Sequence, residues 1–217
     1  MKIITIPVTP LQQNCSILIC EKTGKGAVVD PGGDSHLILE KIKELNVEIE
    51  LILVTHGHVD HCGHVHDLSE NLNVRVEGPN KKDHFWIEQL PNLGQMYDMG
   101  ILHKFKPDRW LDHGDIVNFG NIIMQVMHCP GHSPGHVIFF HEKSQQAIVG
   151  DVIFSGSIGR TDLAQGSHDD LVKSIATILW PLGDDITFFP GHGPVSTFRR
   201  EKETNPFVSL RALSGSS

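Results

Sequence analysis

The chain has 217 residues, 39% apolar and 20% charged, with a formal net charge of −8, a balance typical of a globular protein with a sizeable core. Basic residues cluster no further than Lys81-Lys82 and Arg199-Arg200, so the cationic stripe of a nucleic-acid binder is absent and no nucleic-acid partner is expected. The longest apolar runs fall far short of the roughly 20 residues of a membrane helix, and residues 1–7 alternate like a strand with no signal-peptide core; a cytoplasmic protein without a membrane partner is expected.

In chain order, β-branched and alternating segments predict strands over 2–7, 16–20, 27–30, 51–54, 74–76, 116–119, 122–127, 137–140, 147–150 and 186–189. Asp34 and Ser35 are expected to cap a helix whose Ile38, Ile42 and Leu45 recur at i, i+4 and i+7. Weaker helical patterns cover 63–72 and 81–90. Between Pro91 and Asp115 the chain reads as irregular, and its Met96, Tyr97, Leu102, Phe105 and Trp110 either wall a cleft or pack on the core. Ser167, with Asp169 and Asp170 in the first turn, opens a last helix carrying Leu171, Ile175, Ile178 and Leu179 and stopping before Pro181. Strand runs mixed with β-α-β steps imply packed sheets with helices outside, an α/β (α+β) architecture. One domain is expected over 1–207, with 208–217 a flexible C-terminal tail.

The four cysteines form no C-x-x-C pair and suit a reduced compartment. The fifteen histidines are more informative, because they bunch at predicted strand ends. Strand 51–54 runs into Thr55-His56-Gly57-His58-Val59-Asp60-His61. Strand 122–127 runs into His128-Cys129-Pro130-Gly131-His132, 147–150 ends at Asp151, and 186–189 runs into Pro190-Gly191-His192-Gly193. Glycine or proline beside each donor lets the backbone turn sharply toward a common point. Five His and two Asp are more donors than one ion takes. They divide as His56, His58 and His132 for one ion and Asp60, His61 and His192 for another, with Asp151 shared, the pattern of a two-metal hydrolytic site. All-N/O ligation suits Zn first, with Fe or Mn also compatible. The other ten histidines read as structural, with His136 a candidate to support His132 from behind.

Residues 55–61, Pro130-Gly131-His132-Ser133-Pro134-Gly135-His136, Gly150-Asp151 and Pro190-Gly191-His192-Gly193 resemble the metallo-β-lactamase superfamily over 1–207. The resemblance implies a four-layer αββα sandwich with a dinuclear site at one edge of two sheets, and the same ligand division. Within the superfamily, Asn14-Cys15-Ser16, Asp30-Pro31-Gly32-Gly33, Cys129-Pro130-Gly131-His132, residues 157–162 and Asn205-Pro206-Phe207 are similar to the glyoxalase II-like hydrolases, above all their short bacterial form. The β-lactamase branch lacks a bridging Asp, whereas Asp151 is present here.

That similarity implies hydrolysis of a small-molecule thioester, S-lactoylglutathione or another glutathione conjugate, by a hydroxide held between two metals, with Asp60 orienting it and Asp151 bridging. The basic C-terminal helices of the long forms have no counterpart after His192. Their glutathione-contacting Lys and Tyr fall at Arg160 and Asp162, leaving Arg160 as the candidate substrate-binding residue. Two alternatives use the same residues. An iron-dependent glutathione persulfide dioxygenase would take His56, His132 and Asp151 as its triad; a non-catalytic metal-binding protein would use the donors for storage alone. Oligomeric state does not follow from the sequence.

Overall fold

The computed structural model describes residues 1–214. Its first sheet runs in the order β1 (Lys2–Val8), β2 (Gln13–Cys20), β3 (Lys25–Val29), β4 (Glu48–Leu53) and β5 (Arg75–Glu77). The first two pairings are antiparallel and the last two parallel. The crossovers are helical, through α1 (Ser35–Leu45), then α2 (Val59–Cys62) and α3 (Val65–Leu72). The chain next forms α4 (His84–Glu88) and α5 (Leu90–Met96) before entering the second sheet.

That sheet holds β6 (Ile116–Phe119), β7 (Ile122–His128), β8 (Val137–His141) and β9 (Gln146–Gly150). A hairpin of β10 (Ile153–Phe154) and β11 (Ser157–Ile158) and helix α6 (His168–Ser174) follow. Then β12 (Thr187–Pro190) joins β9 in parallel, and β13 (Ser196–Thr197) leads into α7 (Phe198–Thr204) and α8 (Leu210–Ser214).

Three buried clusters define four layers. Leu18, Val29, Leu51 and Leu53 meet Val117, Phe119, Met124 and Phe139 between the sheets. Ile17, Val28 and Ile52 pack outward against Ile38 and Ile42 of α1 and Val65 and Leu68 of α3. Ile138, Val149 and Phe188 pack outward against Leu171 and Ile175 on one side of the chain's second half and Phe198 of α7. Strands covered on both faces need apolar residues at every position, which is why the central ones read as continuous runs rather than alternations. The αββα sandwich is as the resemblance implied.

Several local expectations are corrected. Asp34 makes no cap hydrogen bond; it sits in the left-handed region at φ 47° and its Oδ2 accepts from Thr9 N–H at 2.8 Å. Ser167 does cap α6, accepting from Asp170 N–H. The stretch after Pro91 is not wholly irregular, because Pro91 begins α5, where a missing N–H costs nothing. Helix α7 was not expected, since Phe198 and Glu201 are its buried residues and no apolar period marks it. The start of the expected flexible tail is packed: Val208 is buried in the outer core and its carbonyl accepts from Trp180 Nε1–H at 3.2 Å, whereas α8 has no buried residue and Leu210 is exposed. Residues 215–217 lie outside the described residues. Removing 208–217 exposes Trp180 and loses one buried hydrogen bond, so it should lower unfolding free energy by about 2–4 kcal/mol, read as a lower urea midpoint.

Candidate metal centre

All seven predicted donors come together. The ligand atoms of His56, His58 and His132 lie within 4.8 Å of one another, and so do those of Asp60, His61 and His192. Asp151 stands between the groups. Its Oδ1 is 3.3 Å from His61 Nε2, and its Oδ2 is 3.5 Å from His132 Nε2 and 3.6 Å from His192 Nε2.

Both sheets contribute. His56 to His61 follow β4 of the first sheet, whereas His132, Asp151 and His192 follow β7, β9 and β12 of the second. Asn14 on β2 stitches the two together: its N–H donates to Gly191 O at 2.7 Å, and its Nδ2 donates to Pro190 O at 3.0 Å and Gly193 O at 2.9 Å. The approach is so close that a Cβ on Gly191 would lie 2.1 Å from Asp151 Oδ1 and 2.5 Å from His61 Cε1, so this position must be glycine.

An outer ring of acceptors turns the imidazoles inward. Asp30 receives Thr55 N–H at 2.7 Å and the Thr55 hydroxyl at 2.6 Å, so that hydroxyl oxygen is left to accept from His56 Nδ1 at 2.9 Å. His61 Nδ1 donates to Asp30 Oδ2 at 2.9 Å, and His132 Nδ1 donates to Arg160 O at 2.8 Å. With Nδ1 carrying a proton in each, Nε2 of His56 and His132 presents a lone pair to the interior, and that of His61 does so once its second proton is released. Nε2 of His56, His58, His61 and His132 and Oδ1 of Asp151 are all buried with no hydrogen-bond partner. Such orphaned acceptors converging on one space fit divalent cations.

The two groups differ in charge. Burial, then the neighbouring imidazoles, drives His56 far below its ordinary value, and burial with His132 beside it lowers His58 to about 3. His132 is lowered too, chiefly by burial. Burial also opposes charge on His61 and His192, but nearby carboxylates outweigh it: Asp151 and Asp60 raise His61, and a hydrogen bond to Asp60 at 3.1 Å raises His192. Burial likewise works against an ionised Asp151, yet His61 holds its carboxyl well below the usual range.

Two supporting residues carry no motif. His136, fully buried and stacked on His56 with ring centroids 4.5 Å apart, accepts the Asp151 N–H on its Nε2 at 3.0 Å. It therefore holds the carboxylate's backbone, while its own carbonyl accepts Cys129 N–H at 2.8 Å in the segment that leads to His132. Asp83 is also fully buried. It accepts Gly57 N–H at 2.8 Å, the Ser133 hydroxyl at 2.7 Å and Gly135 N–H, tying the His56–His58 turn to the loop of His132. Burial pushes its carboxyl up to about 6 despite those three donors. A lone Asp after Lys81-Lys82 looks like a solvated charge run, and only Asn80, which caps that turn, hints at order.

The donors floor a cavity of about 460 Å³ whose walls include Trp86, Leu93, Phe154, Ile158 and Leu163. Of the five residues singled out between Pro91 and Asp115, Tyr97 lines it, Met96 is exposed, and Leu102 and Phe105 pack into the core with Trp110 against them. Arg160 reaches the rim, but its Nε and Nη2 are both engaged by Asp162 at 2.7 Å. A further group, His66, Asp67 and His103, lies at the surface with His103 Nδ1 3.0 Å from Asp67 Oδ1. All four cysteines are buried and unpaired.

Comparison with known proteins agrees with the fold. The metallo-β-lactamase superfamily model matches residues 8–192. The chain is 40% identical over 213 residues, 98% of this chain and 100% of the other, to the hydroxyacylglutathione hydrolase GloC of Haemophilus influenzae. Among solved structures, the BLEG-1 B3 metallo-β-lactamase superposes with a TM-score of 0.88 at 32% identity, over 95% of this chain and 99% of that one. TTHA1623 in a di-iron-bound form gives 0.85 at 33%, over 94% and 99%. A β-lactamase and a thioester hydrolase are thus both similar over nearly the whole chain, and the branches must be separated by residues of the site.

Two outcomes are expected. Asp83→Asn turns an amide N–H₂ toward donors and should weaken metal retention about 10-fold, measured by chelator competition. Loading metal-free protein between pH 6 and 8 should release protons from the group containing His61 and His192, whose imidazoles are raised, so its affinity falls as pH falls. The His56, His58 and His132 group, already neutral, should bind almost independently of pH over that range; calorimetry in buffers of different ionisation enthalpy separates the two.

Proposed function

We propose that this chain, which belongs to the metallo-β-lactamase superfamily, is a dinuclear metallohydrolase cleaving thioesters, of the hydroxyacylglutathione hydrolase class. The observation that carries the reading is Asp151, with its two oxygens within 3.6 Å of imidazole nitrogens from both donor groups. In this reading His56, His58 and His132 hold one divalent cation, Asp60, His61 and His192 hold a second, and Asp151 is shared. Zn suits the all-N/O set, as do Fe and Mn.

When bound, such ions lower the pKa of water toward neutrality and polarise a carbonyl oxygen. The chain's own residues supply the rest. Asp60, whose Oδ2 already accepts from His192 Nε2, is placed to accept a proton and fix the orientation of the attacking water. Trp86, Phe154 and Leu163 exclude bulk solvent from the carbonyl, which strengthens each electrostatic contact there. The thiolate leaves with a low demand for protonation, and the described lining has no neutral carboxyl or free cation poised as a dedicated acid. Arg160, at the rim, would need to exchange Asp162 for a substrate carboxylate to take part in binding.

The 40% identity to a hydroxyacylglutathione hydrolase supports a glutathione thioester as substrate. A mononuclear iron dioxygenase would use His56, His132 and Asp151 of the same cluster, so metal content and oxygen dependence separate the two readings.

The test is anaerobic hydrolysis of S-lactoylglutathione alongside elemental analysis. About two metals per chain and oxygen-independent release of free thiol are expected; one iron and oxygen uptake with glutathione persulfide would overturn the assignment. Asp151→Asn should lose metal by more than the roughly 10–100-fold of an outer-shell change and lose kcat with it.

A further inference from the structure

The cavity above the donor cluster has walls of a definite chemistry. Its volume of about 460 Å³ falls in the roughly 300–1,000 Å³ range of sites that enclose drug-sized ligands, far more than a three-carbon hydroxyacyl group fills. Trp86, Leu93, Phe154, Ile158 and Leu163 form its sides, and Leu11 and Tyr97 stand half-exposed at the mouth. Apart from the candidate metal ligands, the polar groups on the lining residues are the Tyr97 hydroxyl, Arg160 and the Trp86 indole N–H, the last enclosed and without a hydrogen-bond partner. The Arg160 guanidinium is already forked onto Asp162, with both partners largely exposed.

A short acyl group carrying a hydroxyl would find no side-chain amide or buried hydroxyl to bond on these walls. A phenyl or branched alkyl group would exchange water for indole, benzyl and isobutyl surface.

From this, resting on the reading of the site as a thioesterase, we propose that the pocket selects thioesters with a large apolar acyl group, aryl-bearing or branched, over short hydroxyacyl ones. The recognition lies in the acyl half. The thiol half is held loosely, because the charged groups of a peptide thiol meet one cation that is already paired. Catalysis gains only if the apolar group is gripped as the carbonyl carbon is attacked, and the walls meet at the donor floor, where His58 and Trp86 touch edge to face with ring centroids 4.7 Å apart.

S-mandeloylglutathione and S-lactoylglutathione form a matched pair, differing by phenyl for methyl. Hydrophobic discrimination of one methylene or more is worth roughly 10-fold upward, so kcat/KM for the mandeloyl ester should exceed that for the lactoyl ester at least about 10-fold. The non-hydrolysable thioethers give a readout free of turnover: S-benzylglutathione should bind at least about 10-fold tighter than S-methylglutathione by calorimetry. Leu163→Asn, at a half-buried wall position, should lower kcat/KM for the mandeloyl ester several-fold more than for the lactoyl ester; the wild-type comparison stands alone if that variant does not fold. Equal or reversed preference in either pair overturns the inference. Tight S-benzylglutathione binding with no thioester turned over would instead sink the hydrolase reading and leave the pocket's ligand class intact.

Discussion

A buried polar atom left without a partner costs roughly 1–3 kcal/mol, and this chain points four such imidazole nitrogens and a carboxylate oxygen at one another. No fold would drift into that arrangement, since each ring could relieve itself by rotating toward a backbone group. What prevents it is the outer ring of acceptors. Thr55, Asp30 and the Arg160 carbonyl take the Nδ1 protons of His56, His61 and His132 and so hold each Nε2 in place. The penalty stored inside is recovered when a cation enters, which makes metal affinity and folding stability one quantity seen from two sides.

That tension explains features elsewhere in the sandwich. The donors come from two sheets, so the sheets must be fixed at their common edge as well as across their apolar interface. Asn14 does this with three hydrogen bonds to the loop around His192. Asp83 does the equivalent for the other donor group, bridging a turn of the first sheet to a loop of the second. A buried carboxylate is a poor choice for stability alone, as its raised pKa records. Three donors converging on it from loops that carry metal ligands give it a task that an apolar residue of the same size could not perform.

The donor cluster was legible in the sequence because metal ligands are chemically rare and here bunch at strand ends beside glycine and proline. The central strands were legible because burial on both faces forces apolar runs such as residues 51–54. Helix α7 left no such mark, since its buried residues are one aromatic, Phe198, and one charged residue, Glu201. Asp34 looked like a cap by composition, yet its carboxylate was claimed by Thr9 in the turn after β1, a long-range contact no local pattern encodes. Asp83 was opaque for the same reason, and Asn14, though part of a motif that carries the resemblance, gave no sign of the bonds it makes. Their partners are tens of residues away or more, and nothing in an isolated Asp or Asn distinguishes a buried acceptor from a surface charge or turn.

The split in charge across the site also orders the chemistry. Burial holds His56, His58 and His132 toward the neutral form, and Asp151 Oδ2 lies 3.5 Å from His132 on their side. On the other side Asp60 and Asp151 both lie against His61 and His192. With cations in both groups, the one among His56, His58 and His132 would share only Asp151 while the other would also carry Asp60, so more positive charge would remain on the first side toward an oxygen that gains negative charge. His58 and His132 also line the cavity beside Trp86. In the proposed reaction, a carbonyl entering with its apolar substituent against the Trp86 wall would turn its oxygen toward the neutral imidazoles, leaving its carbon open to the side where Asp60 would hold a water molecule. The shape of the wall and the sign of the field favour the same orientation, and that agreement is the strongest reason to regard the cavity and the donor cluster as one site.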